Sequence, residues 1–119
     1  NHAWGGVPAN IIVRKMMGVA PLTPGAQKIK IHPKIGTLEF ANLKTSFITG
    51  TVELECRQTD NTFVINVSLP GGVTGDLMIP ALKGKKKLYI DGQPSTIKAE
   101  KKYFHLKDLP AGKTSLEVK

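Results

Sequence analysis

Apolar positions along this chain follow two different periods, and the change between them falls near residue 25. In the segment PANIIVRKMM, residues 8–17, Ile12 and Met16 lie one turn apart, as do Val13 and Met17. That spacing predicts a short helix. Pro8 suits its first turn, where a missing N–H costs nothing, and Gly18 supplies a left-handed stop. The segment is shorter than the roughly 12–15 residues an isolated helix needs, and its apolar positions are dense. It is therefore expected to pack against a partner that the rest of the chain need not supply in full. APLTPG, residues 20–25, follows as a proline-bracketed connector, because each proline discourages a helical residue before it.

From Gln27 onward the period is two. QKIKIHP places Ile29 and Ile31 on one face, GTLEFANL places Leu38 and Phe40, and GTVELECR places Val52, Leu54 and Cys56 opposite Glu53 and Glu55. TFVINVSLP gives Phe63, Ile65, Val67 and Leu69; GDLMIP gives Leu77 and Ile79; KKLYIDGQP gives Leu88 and Ile90. KYFHLKDL and TSLEVK contribute Phe104, Leu106, Leu116 and Val118. Turn signals separate these runs: RQTDNT, the PGG of residues 70–72, Asp91-Gly92 and LPAGKT. About eight short strands at this spacing predict an all-β fold, an antiparallel sandwich of jelly-roll type preceded by one short helix.

The 119 residues suit one ordinary domain that buries roughly two-thirds of its unfolded surface. Apolar residues make up 40% and charged residues 22%, a globular balance. The single cysteine, Cys56, allows no internal disulfide, and its inward phase beside Val52 and Leu54 favours a buried thiol over a nucleophile. No apolar run reaches the roughly 20 residues of a membrane span, and a charged leader followed by an apolar stretch is lacking. A secretion signal, if a longer protein carries one, is expected upstream; the compartment stays open, with a periplasmic or extracellular location favoured over a cytoplasmic one.

The formal net charge of +8 raises the question of an anionic partner. Two clusters hold much of it, KGKKK at Lys83 to Lys87 and KAEKK at Lys98 to Lys102. They read as solvated turn tips or, alternatively, as a binding site for an anionic polymer through Lys83–Lys87. Only two arginines, Arg14 and Arg57, are present, far from both clusters, and no interleaved aromatics support phosphate binding. Nucleic acid is therefore not the expected partner.

No catalytic residue stands out. Glu53 and Glu55 share one strand face and form either a carboxylate pair or an exposed polar face. His2, His32 and His105 lack metal-ligand spacing to one another or to Cys56, so neither a metal nor a cofactor is expected. Asn66 begins NVS, a short glycosylation pattern. His2 and Trp4, beside Gly5 and Gly6, suit neither helix nor strand. They are either a frayed end or a loop that carries polar and aromatic groups toward a sugar, whose apolar face an aromatic ring can cover.

The run HAWGGVPANIIVRKMMGVAPLTPGAQKIKIHPKIGTLEFA resembles the end of the bacterial α-L-rhamnosidases of glycoside hydrolase family 78 type. The matching elements are His2 to Trp4, the 8–17 segment, Gly18 to Pro21, Pro24 and Gly25, Ile29 to Pro33, and Gly36 to Leu38. The later FVINVSLPGGVTGDLMIP, LYIDGQP and LPAGKTSLEVK are similar to that family's C-terminal sandwich. The family more often carries serine and another small residue where Gly5 and Gly6 stand. The resemblance implies a multidomain parent that removes terminal α-L-rhamnose from glycosides with inversion. It implies that residues 1–20 are the last helix and loop of an (α/α)6-barrel catalytic domain and that 21–119 form an accessory sandwich. It carries His2 over as a substrate-binding residue, with Trp4 either a second contact or a packing residue. The acid and base are then expected in the barrel, so the expected partners are the rest of the parent chain and, in the intact enzyme, rhamnose-containing glycosides. A carbohydrate-binding module is the alternative role, with Tyr89 and Tyr103 as its candidate aromatics.

Overall fold

A computed structural model describes residues 18–119 apart from 24, 26, 35–38, 48 and 83–85. The helix expected at 8–17, His2 and Trp4 lie outside the described residues. Within them every named element is a strand: β1 (Ala20–Pro21), β2 (Lys28–Ile31), β3 (Phe40–Phe47), β4 (Gly50–Gln58) and β5 (Phe63–Leu69), then β6 (Thr74–Pro80), β7 (Leu88–Ile90), β8 (Gln93–Pro94), β9 (Tyr103–Leu109) and β10 (Gly112–Val118). They form two sheets, a four-stranded one in the order β1-β2-β6-β9 and a six-stranded one in the order β3-β4-β5-β10-β7-β8. The expected all-β sandwich is what the chain forms. One pairing departs from the antiparallel expectation, because β2 and β6 run parallel with Ile31 opposite Leu77. The chain lays three strands of the other sheet between them, which is the kind of long crossover a parallel pair requires.

The alternating pattern supplies the core. Ile29, Ile31, Leu77, Ile79 and Phe104 of the smaller sheet are buried, as are Val52, Leu54, Cys56, Phe63, Ile65, Val67, Leu88, Leu116 and Val118 of the larger. Strand β10 lies at the centre of the larger sheet, with β5 on one side and β7 on the other. Its Leu116 faces Ile65 in one register and Ile90 in the other. Sheets stacked this way interdigitate one side chain from every second position.

In β3 the phase is the reverse of the one the sequence predicts. Ala41, Leu43 and Thr45 face inward, directly opposite Cys56, Leu54 and Val52, while Phe40 pairs with Arg57 and stays 65% exposed. The inward set includes a small residue and a hydroxyl, so the large apolar Phe40 dominates the hydropathy pattern although it belongs to the other face. A one-residue shift flips every side chain of a strand, and the pairing with β4 decides between the two.

The turns follow their residue chemistry. Asp91 and Gly92 both have positive φ, 50° and 83°, which is the two-residue turn that Asp-Gly favours. PGG and LPAG, by contrast, join strands of different sheets and close no hairpin. In β9 the register slips against β6 between Gly75 and Leu77. There Asp108 takes φ 58° and its N–H donates to Asp76 Oδ1 at 3.0 Å. Lys28 joins them, 2.9 Å from Asp108 and 3.7 Å from Asp76, and its pKa is raised, first by the hydrogen bond to Asp108.

Candidate functional site

The sandwich presents two outer faces of different character. On the six-stranded sheet the outward positions of four neighbouring strands line up in register. Asn42 faces Glu55, Glu55 faces Asn66, and Asn66 faces Ser115. The next row runs Lys44, Glu53, Ser68 and Lys113. Between and around these rows lies an open trough of about 780 Å³. Asp91 reaches it from the β7–β8 turn, where its Oδ1 accepts from the Ser115 N–H at 2.8 Å. Within the trough Asn66 Nδ2 donates to Glu55 Oε1 at 3.3 Å. Arg57 Nε lies 3.8 Å from the same oxygen, and Lys44 Nζ lies 3.9 Å from Glu53.

A third row crosses the same face at one side of the trough: Phe40, Arg57, Val64, Glu117, Tyr89 and Pro94. It carries an aromatic near each end. Phe40 is open to solvent, whereas Lys119 Nζ sits 5.0 Å from the centre of the Tyr89 ring and 3.9 Å from Glu117.

His32, just past the end of β2, stands at one corner of the outer face of the four-stranded sheet. Its ring meets Tyr103 edge-to-face at 4.8 Å, and its Nε2 is buried without a hydrogen-bond partner. Burial lowers the His32 pKa, and Lys34, Lys30 and His105 lower it further. Beside it the chain arrives at Gly18, whose carbonyl accepts from the His32 N–H at 3.3 Å. Val19 is buried in the core and β1 pairs with β2, so the start of the described chain is fastened to this corner.

The residues singled out in the sequence are thus dispersed. Glu53 and Glu55 share a face, as expected, but each has a cation beside it and both line an open trough. Tyr89 and Tyr103 stand on opposite outer faces, so they cannot belong to one sugar site. Cys56 is fully buried, and burial pushes its thiol up to about 12. Lys83 to Lys85 lie outside the described residues, while Lys86 Nζ donates to the Asn61 carbonyl at 3.0 Å. Among the described residues no three His, Cys, Asp or Glu side chains are placed to hold a metal, and no helix is long and apolar enough to cross a membrane. Sequence reasoning missed the trough because its rows join strands such as β5 and β10, far apart in the chain. The outward alternation was visible; the register that assembles it was not.

Residues 18–90 match the family described as the bacterial alpha-L-rhamnosidase C-terminal domain. The chain belongs to this family. Among solved structures, the rhamnosidase C-terminal domain fold recurs in an alpha-L-rhamnosidase from Dictyoglumus thermophilum, with 23% identity, a TM-score of 0.79, and coverage of 87% of this chain. An alpha-L-rhamnosidase from Streptomyces avermitilis, solved in complex with L-rhamnose, is similar at 23% identity and a TM-score of 0.71, again over 87% of this chain. The matched region is only 12% and 10% of those two chains. In both, a domain of this fold is one part of a much larger rhamnosidase. A comparison with curated proteins gives no match.

Proposed function

We propose that this chain is the accessory C-terminal sandwich of an enzyme that removes terminal α-L-rhamnose from glycosides with inversion, and that it is not itself catalytic. The family match carries this reading. Inverting hydrolysis needs an acid and a base on opposite sides of the sugar, with roughly 6.5–9.5 Å between their carboxyl groups. Glu53 and Glu55 are neighbours on one face of one strand, so they point the same way. Both are open to solvent and beside cations, unlike a general acid held in an apolar site.

The sandwich then braces the catalytic domain. We place the last helix and loop of that (α/α)6 barrel at residues 1–20 and the sandwich at 21–119, with His2 as a contact to the rhamnosyl substrate and Trp4 beside it. Residues 18–20 end this loop and are themselves fastened to the sandwich, Val19 in its core and Gly18 against His32, so the junction between the two units is tied down rather than free. A loop fixed at that end would transmit the sandwich's stability to the helix before it. Deleting residues 21–119 from the intact enzyme is expected to lower its heat-inactivation temperature by several degrees. An unchanged inactivation temperature would remove the bracing role.

A further inference from the structure

We infer that the trough on the six-stranded sheet is a binding surface for an uncharged oligosaccharide, with Phe40 as its stacking platform. The first observation is Phe40 itself. It is a large aromatic, 65% exposed in the described structure, and it stands two residues from Asn42 on the same face of β3. Its inward-facing neighbours are Ala41, Leu43 and Thr45, so core packing does not account for the ring. An exposed aromatic next to polar groups can cover the apolar face of a pyranose while those groups take its hydroxyls.

The second observation is the hydrogen-bonding inventory. The rows beside Phe40 alternate amide, carboxylate, hydroxyl and ammonium groups across four strands, and Asn42, Glu55 and Asn66 lie side by side. An amide beside a carboxylate offers a donor and acceptors a few ångströms apart, which suits the adjacent hydroxyls of a sugar. The trough, about 780 Å³, lies within the usual range for a ligand site of roughly 300–1,000 Å³.

Charge and shape narrow the ligand class. Glu53, Glu55 and Asp91 are matched by Lys44, Lys113 and the Arg57 beside Glu55, so the trough holds no surplus of cations although the chain as a whole carries +8. An anionic polymer is disfavoured there. A peptide strand would add along the free edge of β3, whereas most of the trough lies on the face of β4, β5 and β10, which are paired on both sides. What remains is a neutral chain that lies across the strands and is held by hydroxyls and one ring face. This inference does not depend on the rhamnosidase reading: a non-catalytic bracing domain and a free-standing one could both use the trough.

The test is a titration of the isotopically labelled 119-residue chain, followed by nuclear magnetic resonance. The probes are methyl α-L-rhamnoside, xylohexaose, cellohexaose, maltohexaose and β-1,4-galactotetraose, each carried to about 10 mM, the range of weak sugar binding. The expected result is saturable movement of the Asn42 and Asn66 side-chain amides and the Phe40 ring with at least one probe. Phe40→Ala and Asn66→Ala, both at exposed positions, should each weaken that binding about tenfold while leaving the remaining spectrum folded. Failure of every probe to move those signals would overturn the inference. So would binding that maps to Tyr103 on the opposite sheet, or affinity unchanged in Phe40→Ala.

Discussion

Gly18 and His32 touch backbone to backbone: the Gly18 carbonyl accepts from the His32 N–H at 3.3 Å, and a Cβ on Gly18 would lie 2.2 Å from the His32 carbonyl oxygen. Gly18 also has φ 61°, the left-handed region that favours glycine. Gly18→Ala therefore meets both a conformational penalty and a backbone clash. A loss of about 2–4 kcal/mol in unfolding free energy is expected. Urea titration checks this, and a loss below about 1 kcal/mol would show that the contact yields freely.

The same corner sets a pH dependence. Burial and the neighbouring Lys34, Lys30 and His105 hold the His32 pKa below its ordinary value. Between the lowered folded pKa and the unfolded value near 6.5, the unfolded chain binds more protons. Stability is then fully present above that unfolded value and is lost as pH falls from it through the folded pKa. The urea midpoint should fall between pH 7.5 and pH 5, and His32→Gln should flatten the part of that fall due to this residue. An equally steep fall in the variant would assign the dependence elsewhere.

Lys101 and Lys102 occupy the two central positions of the tight turn from Glu100 to Tyr103, with φ 50° and 74°. Left-handed backbone costs a lysine roughly 1–2 kcal/mol, whereas glycine loses only about 0.5–1 kcal/mol of chain entropy. Lys102→Gly is thus expected to stabilise the fold by about 0.5–1 kcal/mol. A thermal melt would show this as a rise of a few degrees, and a lower melting temperature would contradict it.

Leu116 is fully buried on the central strand β10, between β5 and β7. Leu116→Ala should cost about 2–5 kcal/mol, the transfer loss plus the cavity left behind. Thr114→Ala, half-buried two residues earlier on the same strand, should cost less than about 1.5 kcal/mol. Equal costs would place the core elsewhere.

Much of this fold could be read directly from alternation. Runs such as Phe63, Ile65, Val67 and Leu69 are apolar at every second position and leave one choice of inner face. Phe40 shows where such reading ends: its apolar bulk outweighs Ala41 and Thr45, and only pairing with Arg57 reveals that it faces solvent. The parallel match of Ile31 to Leu77 was also hidden, because it joins segments more than forty residues apart. The trough depends on the same kind of information. Its residues are ordinary outward polar positions until β10 is set beside β5. The family was legible for another reason: its motif is a local run of residues that needs no register.

Under the proposed function, the chemistry of rhamnoside cleavage lies outside this chain. The most direct test is the initial rate of 4-nitrophenol release from 4-nitrophenyl α-L-rhamnopyranoside by the 119-residue chain, beside an equimolar amount of the intact enzyme. Release by the chain at the rate of buffer alone is expected. Turnover at a rate comparable to that of the intact enzyme would contradict it.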